Sequence, residues 1–334
     1  MRKINRRSVV CGAASLLLAT GRARAEADFR YKFATNLPLT HPLNVRLQQA
    51  FDRIKRDSKG VLEIELFANS QLGGDTDVLS QLRSGAVEFF SLSSVILSTL
   101  VPIASISGIG FAMPDYDTVW RAMDGELGSR IRHDIAKADI VAMDRIWDNG
   151  FRHITTSRKP IHAPDDLRDI KMRVPVSPLW TSMFRAFGAG PVSINAGEIY
   201  SALNTKIADG QENPLTPIWS LKLYEVQRYL ALTGHMWDGY WVLANRGAWQ
   251  ALPDDLRDMV AWHFNQSALD QRADLAGLNT SLRTELETKG MQFNDVDKDQ
   301  FRERLRQAGF YTEWRDRYGA ESWRLLEKYA GNLS

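Results

Sequence analysis

One cysteine, Cys11, stands in the whole chain of 334 residues, and it falls within the first 25. Once those residues are set aside, no thiol is left. That excludes a disulfide, a thiolate metal site and a cysteine nucleophile from the remainder. About 309 residues can bury an ample core without cross-links. Catalytic signatures are missing as well. There is no Gly-x-Ser-x-Gly, no phosphate-binding loop and no Gly-x-Gly-x-x-Gly; Gly188-Ala189-Gly190 lacks the third glycine and runs into Pro191. The six histidines (His41, His133, His153, His162, His235, His263) show no His-x-x-x-His or Glu-x-x-His spacing. No apolar run reaches the ~20 residues of a spanning helix, and no basic stripe suits nucleic acid. The expectation is no metal, no cofactor, no nucleic-acid partner and no enzyme.

What the first 25 residues do contain is a leader pattern. Arg2, Lys3, Arg6 and Arg7 precede a short apolar run over residues 9–19. Ala23-Arg24-Ala25 puts small residues at −3 and −1 of a cut before Glu26. This reads as a cleaved signal peptide over residues 1–25 and a periplasmic destination. Asn5-Arg6-Arg7-Ser8-Val9-Val10 also resembles a weak twin-arginine signal, so Sec and Tat export both stay open. Cys11 is a poor lipidation site, because the apolar residues follow it. The leader holds six Lys/Arg and no acid, which leaves 36 of the 42 basic residues against 40 acidic ones, a net charge of about −4. The basic pI of about 8.6 belongs mostly to the leader.

The rest reads as mixed α/β. Residues 29–35 form a strand pattern. Leu43, Leu47, Ala50, Phe51 and Ile54 mark one helix face, and Gly60 ends it. Residues 61–67 alternate Leu62, Ile64 and Leu66 against Glu63 and Glu65, a half-exposed strand. A short helix over 75–83 and a strand over 87–92 complete a β-α-β-α-β order, which predicts parallel strands with right-handed crossovers. Strands over 141–147 and 152–156 flank Asp148-Asn149-Gly150, a turn signal. Further short strands fall at 170–174 and 207–211, with helices over 178–187 and 198–204 between them. After Pro253 a helical stripe runs for some 30 residues, long for a globular domain.

Two side chains stand out. Arg173 lies where a short apolar strand runs into Pro175, and Asn213 lies 40 residues later, at the end of a second short strand. A buried anion needs a paired, hydrogen-bonded partner. The planar fork of Arg suits a carboxylate best, through two parallel N–H···O bonds. A guanidinium and an amide on two strand ends can hold one carboxylate between them. Arg152, at another strand boundary, is a second candidate. These residues are expected to serve a ligand rather than the core.

Over almost its whole length after the leader, the chain resembles the solute-binding subunits of tripartite ATP-independent periplasmic (TRAP) transporters, the DctP-like family. The resemblance rests on Phe33-Ala34-Thr35-Asn36 through His41-Pro42, on Ser70-Gln71-Leu72-Gly73-Gly74-Asp75, on Lys171-Met172-Arg173-Val174-Pro175 and on Ala208-Asp209-Gly210-Gln211-Glu212-Asn213-Pro214. The last two, at the family's separation, are the most specific. The resemblance implies a two-lobed type II periplasmic-binding-protein fold with a long helix spanning both lobes. It implies one lobe from residues 26–149 plus about 238–277, another from 150–237 plus about 278–305, and C-terminal helices over 306–334. It also implies that Arg173 makes the main salt bridge to a ligand carboxylate, with Arg152 and Asn213 completing that site. Asn36, His41 and Asp75 match positions that meet the distal end of the ligand. Ser91, Ser93 and Trp237 fall in pocket-wall segments. The implied partners are a small organic acid and the small and large membrane subunits, with the binding protein a monomer. One departure is Ala196, preceded by Asn195, where many relatives place an aromatic residue.

The ligand class stays open at this stage. Asn36, Asp75, Asn195 and the serines suit the hydroxyls of a sugar acid or hydroxy acid, which is preferred. Trp147, Trp180, Trp219 and Trp237 suit an aromatic monocarboxylate, and a C4-dicarboxylate would want another cation near Asp75. A periplasmic sensory binding protein and an enzyme are the rival classes, since one fold hosts many functions.

Overall fold

Alternating apolar residues build the first strands. The computed structural model describes residues 27–333, so the expected leader and its cleavage site lie outside the described residues. β1 (Phe29–Ala34) pairs in parallel with β2 (Leu62–Phe67) and with β3 (Phe89–Ser93). Each connection is a helix, Pro42–Asp57 and then Asp75–Ser84, as the β-α-β-α-β order predicts. In β2, Leu62 and Ile64 are buried while Glu65 is exposed. The helix Pro42–Asp57 starts where it does because the His41 ring accepts from the Leu43 N–H and Pro42 needs no partner for a missing one. Its buried face is Leu43, Leu47, Ala50, Phe51 and Ile54, and Lys55 and Arg56 complement the dipole at its end.

The later strands are β4 (Ile140–Ala142), β5 (Trp147–Phe151), β6 (His153–Thr156), β7 (Lys171–Val174), β8 (Gly190–Ser193), β9 (Gly210–Asn213), β10 (Tyr229–Ala231), β11 (Trp237–Asn245) and β12 (Gln292–Asn294). One sheet runs β2-β1-β3-β11-β4, with β5 also paired to β11; the other runs β12-β10-β6-β9-β7-β8. The chain changes sheet between Phe151 and His153, again between Ala231 and Trp237, and a third time along the helix Asp254–Thr288. This is a two-lobed type II periplasmic-binding-protein fold. The long helix has 35 residues. Its Phe264 packs in the core of the first sheet, against Phe33, Phe51 and Phe89. Its Leu282 and Leu286 pack in the core of the second, with Leu203 and Leu230.

Asp148, Asn149 and Gly150 form no turn. They lie inside β5, opposite β11, where the register shifts between Asp238 and Gly239. Asp148 faces Gly239 and Gly150 faces Asp238, so Asn149 is the extra residue of a β-bulge. Gly150 beside it has a positive φ, +120°, which glycine adopts without the penalty a side chain would bring. Turn-forming residues and bulge-forming residues are the same types, which is why the sequence pattern reads either way. The C-terminal segment folds as three helices, Lys298–Gln307, Phe310–Tyr318 and Ala320–Ala330. They tie the lobes together from behind: the Trp314 indole donates to Ser182 Oγ, and the Tyr311 hydroxyl donates to the Gly110 carbonyl.

Candidate functional site

Strand alternation sets the site. In β7, Met172 and Val174 turn to one side of the sheet and Arg173 to the other. Pro175 ends the strand beyond it. Arg173 is 1 % exposed. Its Nε and Nη2 both donate to the Ile194 carbonyl, at 2.9 and 2.6 Å. No carboxylate lies within ion-pairing distance of it among the described residues. Burial pulls its pKa down to about 10, against the attraction of Glu212 and Asp75. It stays charged at neutral pH, as a buried cation held by a carbonyl alone.

Arg152 has a different environment. It sits at the β5–β6 boundary, 2 % exposed. Its Nε and Nη2 grip both carboxylate oxygens of Glu212, at 2.5 and 2.8 Å. Nη2 also donates to Asn213 Oδ1 at 3.0 Å, and Nη1 lies 3.4 Å from Asp238 Oδ2. The guanidinium stands 4.6 Å above the Trp180 ring. Glu212 in turn lies 3.3 Å from His235 Nε2. Burial opposes the charge on Glu212, but Arg152 and His235 more than offset it and hold its pKa below the ordinary value. Arg152 is thus a structural ion pair as well as a cavity residue. The expectation that it serves the ligand alone is corrected: Glu212, one residue before Asn213 in β9, claims most of its donors.

A cavity of about 30 Å³ lies between the sheets. Asn36, Ser93, Asn149, Asp238 and Tyr240 line it from the first lobe, and Arg152, Arg173, Trp180, Ala196 and Asn213 from the second. The Asn36 amide donates to Asp75 Oδ1 at 2.8 Å, so Asp75 stands directly behind the wall. Burial raises Asp75 to about 6; the Asn36 bond, Arg173 and the Ala196 N–H oppose that rise. The lobes touch at the rim: a Cβ on Gly74 would come within 2.8 Å of the Asn195 amide nitrogen, and one on Gly197 within 3.3 Å of Ser70.

Besides Asp75, three expected wall residues do not line the cavity. His41 caps its helix with Nδ1, and burial drives its pKa down to about 3. Ser91 is fully buried within β3, opposite Val242 of β11; its neighbour two residues on, Ser93, lines the cavity instead. Trp237 gives its indole N–H to Asp148 Oδ1 at 2.8 Å and meets Trp120 edge-on. The direction of its ring depends on packing and is not legible in the sequence. The residues that sequence reasoning missed are Glu212, His235, Asp238, Asn149 and Tyr240. An acid inside the apolar run Met236-Trp237-Asp238-Gly239-Tyr240-Trp241 is the signal for one of them, because a buried carboxylate there requires donors.

Asp148 makes the β5 strand sensitive to pH. Its backbone exchanges two hydrogen bonds with Gln271 of the long helix, at 2.9 and 2.8 Å. Burial raises its carboxyl to about 7, against the bonds from Trp237 and Tyr116. Between about 4 and 7 the folded state keeps a proton that the unfolded chain releases. The stability from this group is therefore complete below the unfolded pKa of 3.8 and is lost as pH rises through 7. Asp148→Asn keeps the shape without the charge. Urea unfolding at pH 8 is expected to find the variant more stable than the wild type by roughly 2–3 kcal/mol, with the gap closing toward pH 4. A gap independent of pH would show that Asp148 is ionised throughout.

Two sheets joined by crossing strands and one long helix, with a cation-lined cleft between them, define a two-lobed solute-binding protein. The chain belongs to the bacterial extracellular solute-binding protein family 7, DctP, whose family model matches residues 33–311. It is 26 % identical over 282 residues to the 2,3-diketo-L-gulonate-binding periplasmic protein YiaO of Escherichia coli, covering 84 % of this chain and 85 % of that one. A TRAP periplasmic solute-binding protein of Pseudomonas putida F1 with bound D-glucuronate superposes with a TM-score of 0.84 at 27 % identity, over 91 % of this chain and 98 % of that one. Another, from Sulfurospirillum deleyianum with bound succinate, gives 0.85 at 26 % identity, over 91 % and 99 %.

Proposed function

We propose that this chain is the extracytoplasmic binding subunit of a TRAP-type secondary transporter. It is exported by the leader over residues 1–25, works as a monomer, captures a small organic acid and hands it to the small and large membrane subunits. It turns nothing over. The observation that carries this reading is Arg173, a buried cation in the inter-lobe cleft with no acidic partner among the described residues. Such a group calls for an anion. A ligand carboxylate takes the fork, with the Asn213 amide beside it. Asn36, backed by Asp75, meets the distal end, where hydroxyls suit it better than a second anion. A hydroxy acid or sugar acid is the preferred ligand class. The bound D-glucuronate and the diketogulonate named for two relatives are acids of this general kind.

A cavity of about 30 Å³ has room for roughly one water. A sugar acid therefore enters only when the walls part, and closure afterwards lets both lobes touch it. A thermal-shift screen of the protein against organic acids is the direct test. A ligand that binds only the folded state at 100 times its Kd adds about 2.7 kcal/mol of stability. X-ray scattering on the best hit is expected to show a smaller radius of gyration with ligand than without. No shift with any carboxylate would sink the function, and an unchanged radius would sink the closure.

A further inference from the structure

Charge around the cavity is unevenly matched. Three charged side chains line it: Arg152, Arg173 and Asp238. Arg152 is held from one side by both oxygens of Glu212 and faces Asp238 on the other. That leaves Arg173 as the lining cation without an acid of its own. Asp238 is fully buried on β11, opposite the β5 bulge. The Ser93 hydroxyl donates to its carboxylate, 2.9 Å from Oδ1 and 2.8 Å from Oδ2, and the Asn149 amide donates to Oδ2 at 2.9 Å. Burial raises its pKa, and Arg152, Asn149 and Ser93 oppose that rise; every polar contact it makes among the described residues is with a donor, the arrangement that favours the carboxylate. Among the described residues its Oδ1 accepts only from Ser93, so it retains acceptor capacity. The bulge exists at this point in the strand and supplies Asn149 to that carboxylate.

A ligand that brings one carboxylate to Arg173 balances the cavity. One that brings two must place the second in a desolvated space bounded by Asp238 and, behind Asn36, Asp75. Like charges at close range there are costly. A hydroxyl in the same place meets an acceptor. We propose that Asp238 is a specificity-determining residue, which admits hydroxylated monocarboxylates and excludes the matching dicarboxylates. Specificity of this kind comes from the repulsive element as much as from the attractive one. The inference rests on the carboxylate reading of Arg173 given above.

The test uses acids of equal carbon skeleton: D-gluconate with D-glucarate, erythronate with meso-tartrate, and glycerate with tartronate. Isothermal titration is run on the wild type, Asp238→Asn, Asp238→Ser and Arg173→Ala, after melting curves show which are folded. The wild type is expected to favour the monoacid of at least one pair by about 30-fold or more. In Asp238→Asn, or in Asp238→Ser if the first does not fold, the ratio should fall to about 5-fold or less, chiefly through tighter diacid binding. Arg173→Ala should bind both members about 30-fold or more weaker than the wild type. A wild type that takes a diacid as well as its monoacid overturns the inference, as does an unchanged ratio in the folded Asp238 variant. If the ratio falls but Arg173→Ala binds as tightly as the wild type, Asp238 keeps its role and the carboxylate reading of Arg173 fails instead. Binding of no acid in any pair overturns both.

Discussion

Arg173→Ala is expected to weaken binding of the organic acid by about 2–5 kcal/mol, because it leaves a buried anion unpaired. That is a loss of roughly 30-fold to several thousand-fold in Kd. Arg173→Lys keeps the charge but loses the planar fork that the Ile194 carbonyl holds in place, so it should fall between alanine and wild type. Asn213→Ala should cost about 1–3 kcal/mol, the worth of one hydrogen bond to a charged group. Ligand-free melting separates binding from folding. Arg173 has no acidic partner among the described residues, so its removal should leave the ligand-free protein at least as stable as before. Wild-type affinity in Arg173→Ala by isothermal titration would place the carboxylate site elsewhere, whatever the family.

Glu212→Ala should have the largest effect on stability, about 3–5 kcal/mol of loss in urea unfolding. Arg152 and Glu212 are 3 % and 0 % exposed as side chains. Removing the acid leaves a buried guanidinium with only Asp238 at 3.4 Å to answer it, and removes the anion beside His235. Glu212→Gln keeps the shape and should lose less. Arg152→Ala strands two carboxylates, Glu212 and Asp238, and should destabilise comparably. A buried ion pair is costly to break yet weak evidence of net stabilisation, since water also solvated both charges in the unfolded chain. The double replacement Arg152→Met with Glu212→Leu is therefore expected to recover most of the loss. Unfolding of Glu212→Ala at the wild-type denaturant concentration would show that the cluster contributes nothing to the fold.

Local patterns carried far in this chain. The apolar stripe of Pro42–Asp57, the alternation of β2 and the 35-residue helix after Pro253 are readable because burial repeats with the period of the element. Short strands were placed less well. β9 begins at Gly210, three residues later than its apolar pattern suggests, and β8 left no usable pattern, since only Pro191 and Val192 separate a glycine from a serine. Four residues are too few to show a period.

The sequence by itself determined the α/β class, the family, and the two strand ends on which Arg173 and Asn213 stand. These depend on residue type and spacing along the chain. Only the tertiary structure decided which side chains meet. Arg152 and Glu212 lie 60 residues apart, and Ser93 and Asp238 lie 145 apart. Whether a guanidinium is free for a ligand or already held by an acid depends on which strands become neighbours, and a sheet order such as β3-β11 beside β5 is not written in any one segment. Ser91 and Ser93 share one face of β3, and only Ser93, at the strand's end, lies where the second lobe meets it; the Trp237 ring turned to Asp148. Strand alternation fixes only the face a side chain takes; which residues along that face reach the cavity is set by register and by packing across the whole lobe.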